Sequence, residues 1–159
     1  MASHAILSQV DQALAAYLVS VGAGTTEDIH PAKRSEDKAV PNTICYARQW
    51  RMLSPNSGVY VVQAHVVVTT SPSLDEPAQL PEEKEEASKD RVSATWDAFF
   101  VGVDSDSSEL AAAITAASGL ADFTIQSCEV VGGDAGYGEK GNTWRDGLDL
   151  EIVCCPRSV

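Results

Sequence analysis

Length and charge restrict the class of this protein before any motif is considered. Its 159 residues fit one domain, because domains usually span roughly 100–200 residues. A hydrophobic fraction of 44% beside a charged fraction of 21% excludes a wholly disordered or fibrous chain. The net charge of −12 argues against bare nucleic acid or an anionic membrane surface as a partner.

Targeting and membrane signals are weak along the chain. Residues 1–4 carry no basic cluster, and the apolar residues that follow are interrupted by Gln9, Asp11 and Gln12, so we expect no secretory signal. No stretch approaches the roughly 20 apolar residues of a membrane-spanning helix. We therefore expect a single domain over residues 1–159 that is made in a cytosol and has no membrane partner.

The first predicted element is an amphipathic helix over residues 3–21. Its apolar residues recur at spacings of three and four: Ile6, Val10, Ala13, Leu14, Tyr17 and Val21. This spacing builds one apolar stripe. Gly22 predicts the end of the helix. The polar segment that follows, with Pro31 and Pro41, leaves room for a short strand near Ile29.

A hairpin comes next, with strands at residues 44–52 and 59–70. The turn residues 54–58 supply proline, asparagine, serine and glycine. The return strand alternates, and the side chains of one face are Tyr60, Val62, Ala64, Val66 and Val68. We expect that face to pack on a core and the other face, which carries Gln63 and His65, to be partly covered or to reach a neighbour.

The middle of the chain combines an acidic segment with two helices. Residues 72–86 contain three prolines and a run of carboxylates, which predicts an acidic surface loop. A helix is expected over residues 82–100, with Val92, Trp96 and Phe99 on its apolar side. A shorter helix should follow Asp106 and end at Gly119.

Two strands close the predicted fold, at residues 123–131 and 144–155. Residues 132–142 between them contain five glycines, which predicts a flexible hairpin tip. In the last strand, apolar side chains from Leu148 to Cys154 alternate with charged ones. Together the elements predict an α+β fold, a mainly antiparallel sheet with helices on one face in the order α-(β)-β-β-α-α-β-β.

The candidate chemistry of the chain is sparse. Cys45, Cys128, Cys154 and Cys155 form no C-x-x-C pair, and adjacent cysteines on a strand point to opposite faces, which favours buried thiols in a reducing compartment. The acidic segment lacks the spacing of a calcium-binding loop, and the glycine-rich tip lacks the ending of a phosphate-binding loop. We expect no catalytic residue, no metal and no cofactor.

Two alternatives involve His65, which lies in the middle of a strand. Cys45 on the partner strand would give a cysteine–histidine pair for nucleophilic catalysis if the two side chains met. Otherwise the sheet face near His65 would form a pocket for a peptide or a small ligand.

Surface residues at three places are the candidates for contact with partners. Trp50 and Arg51 lie near the tip of the first hairpin, where an exposed tryptophan beside an arginine is typical of an interaction hot spot; the alternative is that Trp50 covers the edge of the core. The other candidates in the acidic segment and the glycine-rich tip are Asp75, Glu76, Glu82, Glu83, Asp134, Tyr137 and Lys140.

The order of elements resembles a known family. An amphipathic helix, a polar excursion with prolines, a hairpin, a helix pair and a closing hairpin follow one another, and the first hairpin ends in the polar run VVVTTSP at residues 66–72. In the order of its elements and the composition of its segments, the chain resembles the small tail terminator and head-to-tail joining (neck) proteins of long-tailed bacteriophages.

The resemblance implies a structural virion protein without enzymatic activity. Terminator subunits assemble into a ring, hexameric in this family, that caps the tail tube and joins it to the neck. The implied partners are copies of the same chain, the tail tube protein and the neck or connector protein, with DNA passing through the lumen without being specifically bound. Such a protein is assembled in the host cytoplasm and resides in the tail or neck of the virion. Another head–tail connector or tail completion protein is the alternative.

The acidic segment gives a prediction of its own. Deleting residues 73–81 should leave a folded subunit, because the segment contributes no periodic apolar residues, and should impair assembly. Circular dichroism and light scattering measure the two effects. An unfolded variant would contradict the assignment of this segment to a surface loop.

Overall fold

The computed structural model describes residues 2–31, 42–70, 92–100, 107–118, 122–137 and 144–156. Its helices are α1 (Ala2–Ser20), α2 (residues 92–99) and α3 (Ser107–Ser118). Its strands are β1 (Ile29–Pro31), β2 (Asn42–Met52), β3 (Tyr60–Thr70), β4 (Phe123–Tyr137) and β5 (Trp144–Pro156). The predicted α+β class and order are confirmed. The predicted acidic loop 72–86 and the first part of the helix predicted from residue 82 lie outside the described residues.

The strands form one five-stranded sheet in the order β1-β2-β3-β5-β4. The short β1 runs parallel to β2, and every other neighbouring pair is antiparallel. Both predicted hairpins are therefore confirmed, and the closing hairpin joins the first one through the β3–β5 pair. This order leaves β1 and β4 as the two outermost strands.

The core lies between the helices and one face of the sheet. The alternating face predicted for β3 is buried, as is the matching face of β5 with Leu148, Leu150 and Ile152. The helix α1 contributes the buried stripe Ile6, Val10, Ala13, Leu14 and Tyr17. The Tyr17 hydroxyl donates a hydrogen bond to the carbonyl of Ala98 and so ties α1 to α2.

Val21 departs from the predicted stripe, because it is 48% exposed. The helix ends at Ser20, and the amides of Gly22 and Ala23 donate to the carbonyls of Val19 and Leu18 at 3.1 and 3.0 Å. These two bonds with a φ of 78° at Gly22 form a Schellman cap. Gly22 thus stops the helix as predicted. The last helical residue is Ser20, so Val21 lies outside the helix and does not reach the core.

The flexible tip predicted for residues 132–142 is wrong for its first half. The strand β4 continues through Gly132 to Tyr137 and pairs with β5 up to Trp144. A bulge between Val130 and Gly132 admits an extra residue into the strand. The glycines here permit a close approach of the two backbones instead of a loose loop, and residues 138–142 lie outside the described part of the chain.

Gly133 gives a test of that close approach. A Cβ at Gly133 would collide with the carbonyl oxygen of Gly147, whereas a Cβ at Gly136 meets nothing within 4 Å. Gly133→Ala should therefore lower the free energy of unfolding by about 1–3 kcal/mol.

Gly136→Ala is the matched control and should leave stability unchanged or raise it by up to ~1 kcal/mol, because alanine loses less entropy than glycine on folding. Urea denaturation measures both values. Equal effects of the two substitutions would contradict the pairing of β4 with β5 at this point.

Candidate functional site on the open sheet face

The sheet face opposite the helices carries most of the polar side chains of the strands, and we call it the open face. Its middle is partly exposed, whereas Val61 at one end and Asn42 and Thr69 at the other are buried. Its cross-strand rows follow from the register, since directly paired residues point to the same side. One row runs Tyr46, His65 and Asp149, and another runs Gln49, Gln63, Glu151 and Glu129. The mixed face predicted for β3 is thus confirmed, and it belongs to a polar surface that spans four strands.

His65 is the centre of the best-connected cluster on the open face. Its Nδ1 contacts the carboxylate of Asp149, its Nε2 lies 3.1 Å from Nη1 of Arg48, and its ring stacks on Tyr46 at 5.2 Å between centroids. A guanidinium offers only donors, so Nε2 must accept and the ring proton must lie on Nδ1. Both ring nitrogens are engaged, and His65 therefore positions Arg48 rather than presenting a free base.

The cysteine–histidine pair expected by the enzymatic alternative does not form. Cys45 pairs with Val66 and faces the core, where it is 0% exposed, while His65 faces the other side of the sheet. Burial raises the pKa of the Cys45 thiol, and desolvation is also the main cause that raises the pKa of Cys128 and Cys154 to about 12 each. All four cysteines are free, and three of them are the buried apolar residues that the sequence predicts.

The ligand-binding alternative also finds little support at His65. Its ring contacts the side chains of Tyr46, Arg48 and Asp149. They are polar groups engaged with the imidazole itself, whereas ligand pockets are largely apolar and concave. In the described part of the chain, no cluster of three or more histidine, cysteine or acidic side chains is arranged to hold a metal.

Trp50 and Arg51 lie at one corner of the sheet, at the end of β2. Trp50 is 38% exposed, and its ring meets that of Tyr60 edge-on at 5.2 Å. It therefore covers the edge of the core and also offers an exposed aromatic surface, and its role as an interaction hot spot stays a prediction. Arg51 is exposed beside it, and Leu53 is 58% exposed just beyond the strand.

The remaining predicted interface residues are distributed differently. Asp134 is exposed, but it lies within β4 instead of at a loop tip, and Tyr137 is the last residue of that strand. The structure therefore places Asp134 and Tyr137 at the sheet corner diagonal to Trp50. The other candidates, Asp75, Glu76, Glu82, Glu83 and Lys140, lie outside the described residues.

Sequence reasoning missed Asp11, which faces the sheet from α1. Its carboxylate accepts a hydrogen bond from the backbone amide of Ala47, at the β-bulge of β2. Burial raises its pKa from 3.8 to about 6, against the lowering effect of this hydrogen bond. The only sequence signal is a carboxylate between Val10 and Ala13, two residues of the apolar stripe.

Neither a protein-family model nor a curated protein sequence matches the chain. Among the described residues, none of the helices combines the length and apolar character needed to span a bilayer.

Asp11 gives a pH-dependent prediction. Because its pKa is raised in the folded state, the folded protein holds a proton that the unfolded chain has lost between about pH 4 and pH 6. The contribution of Asp11 to stability is therefore largest below pH 4 and falls as the pH rises through 6. Asp11→Asn should stabilise the protein relative to wild type by about 1–2 kcal/mol more at pH 7.5 than at pH 4, after allowance for solvent screening.

Urea denaturation at several pH values measures this difference, and the exposed Asp97 on α2 supplies the matched control Asp97→Asn. The asparagine at position 11 can still accept the hydrogen bond from Ala47. A stability difference between Asp11→Asn and wild type that stays constant with pH would contradict the burial of this carboxylate.

Proposed function

We propose that this protein is a structural subunit of a ring, a tail terminator that caps the tail tube of a long-tailed phage and joins it to the neck. The observation that carries the proposal is the pair of exposed strand corners, one at the end of β2 and one at the end of β4. A subunit with two different contact surfaces forms head-to-tail contacts, which close into a ring when the rotation between copies permits.

The charge of the protein suits the passage of DNA. The net charge is −12, and Glu129 and Glu151 face each other directly across β4 and β5. Like charges placed opposite each other cost stability, but negative charge around a channel repels the DNA backbone and keeps it from binding. The partners in this proposal are further copies of the chain, the tail tube protein and the neck or connector protein, in the tail or neck of a virion assembled in the host cytoplasm.

The alternatives within this proposal differ in the partner. Another head–tail connector or tail completion protein would use the same subunit contacts with different neighbours. A small peptide-binding module would use an exposed strand edge to add an extended peptide to the sheet, and the exposed outer strand β4 favours this second candidate over a pocket at His65.

Capping of tubes tests the proposed function directly. The purified protein, added to the polymerising tail tube protein of the same virus, should stop elongation and leave a ring on one end of each tube, as seen in negative-stain electron micrographs. Trp50→Ala should weaken capping about tenfold or more, because exposed tryptophans dominate interface energies.

Phe100→Ala is the matched control, since Phe100 is a 52% exposed aromatic residue at the end of α2. Circular dichroism establishes that both variants fold. Tubes that grow to the same length with and without the wild-type protein, and that carry no ring, would refute the terminator role.

A further inference from the structure

In two strand segments of this protein, consecutive residues are exposed on both faces of the sheet. Side chains of a strand alternate between two faces, so one packed face leaves every second residue buried. Residues 131–135 of β4 are all exposed, and so are residues 48–51 of β2. We call residues 131–137 the β4 corner and residues 48–53 the β2 corner.

The outer backbone edges of both corners lack a described partner. The described part of β1 pairs with residues 43–45 of β2. Further along β2, the backbone amide of Ala47 donates a hydrogen bond to Asp11 of α1. Beyond Ala47 no described residue pairs with the outer edge of β2. On the other side of the sheet, β4 is the outermost of the described strands, and β5 is its one neighbour among them.

The directions of the two edge strands permit them to pair between copies. Three antiparallel steps separate β2 from β4, through β3 and β5, so β2 and β4 run in opposite directions. A second copy placed beside the first in the same orientation therefore brings its β2 next to β4 as an antiparallel neighbour. Its sheet would continue the first sheet with the pairing that hairpins also use.

The two corners also match in charge and in apolar surface. Arg48 and Arg51 are the charged residues of the β2 corner, and Asp134 is the charged residue of the β4 corner. The register places Arg51, opposite Val61, and Asp134, opposite Gly147, on the same open face of the sheet. Apolar surface is available on both sides, because Leu53 and Val131 are each 58% exposed.

From these observations we infer that the β4 corner of one copy pairs antiparallel with the β2 corner of the next, with Arg51 and Asp134 in contact across the junction. This contact rests on the proposed function for its closure into a ring, and it names the surface that joins the subunits. The two corners lie at opposite ends of the sheet, so the second copy is displaced along the strands. The contact is heterologous, since two different surfaces of the same chain meet.

Charge reversal at the two residues tests the contact between copies. Arg51→Glu alone and Asp134→Lys alone should each place like charges together and weaken self-association about tenfold or more, measured by sedimentation velocity over a concentration series. The double variant should regain self-association. A mixture of the two single variants should also regain it, because every junction then joins either the native pair or the reversed pair.

Glu109→Lys on the exposed side of α3 is the control, since it changes the net charge as Asp134→Lys does at a site outside both corners. Circular dichroism establishes that each variant folds. Failure of both the double variant and the mixture to restore association would overturn the inference. So would a wild-type protein that stays monomeric at all concentrations, in which case binding of an extended peptide to the β4 corner is the remaining use of that edge.

The tube-capping experiment separates this inference from the proposed function. Tubes that are capped by the wild-type protein while charge exchange restores nothing would retain the terminator role and remove the corner contact. Restored association with no effect on any tube would retain the contact and remove the terminator role.

Discussion

Packing of the helices against one face of the sheet is the constraint on which the rest of this structure depends. Alternate residues of β3 and β5 bury an apolar layer beneath the helices, and the residues between them, which include Gln63, His65 and Asp149, point to the open face. At the ends of β2 and β4, residues 48–51 and 131–135 are all exposed, so these segments lie beyond the part of the sheet that packs on the described helices. The polar cluster and both exposed corners are consequences of this one packing arrangement.

Two local contacts determine where the free part of β2 begins. The carboxylate of Asp11 binds the amide of Ala47 at the β-bulge, and beyond the bulge Arg48 reaches back to His65, which Asp149 holds from the neighbouring strand. These contacts fix the last part of β2 in a strand conformation, while no described residue pairs with its outer edge beyond Ala47. A preformed edge loses less conformational entropy when it pairs than a loop does, which suits a surface that joins subunits.

Sequence reasoning found the elements that local periodicity determines. The alternation of β3 and β5 and the three- and four-residue spacing of α1 predict the core face correctly, and Gly22 marks the end of α1.

The prediction failed at Gly132 to Gly136, because glycine statistics indicate a loop, while the strand there depends on the facing Gly147, which lies on the next strand of the chain. The hydrogen bond from Ala47 to Asp11 and the contact of Arg48 with His65 were missed for the same reason, since both depend on how distant segments of the chain are placed side by side. Trp50, Arg51 and Asp134 were predicted as contact residues from their types and their places near the hairpin turns, and this stays a prediction; their arrangement at diagonal corners required the strand order.

Hydrogen–deuterium exchange, read by mass spectrometry at low and high protein concentration, tests the central claim that the sheet continues from one copy to the next. Pairing of backbone edges protects amides directly, so assembly should slow exchange in residues 48–52 and 131–137 together and leave the exposed sides of α1 and α3 unchanged. Assembly that slows exchange elsewhere, while these two segments exchange as they do in the monomer, would contradict the account.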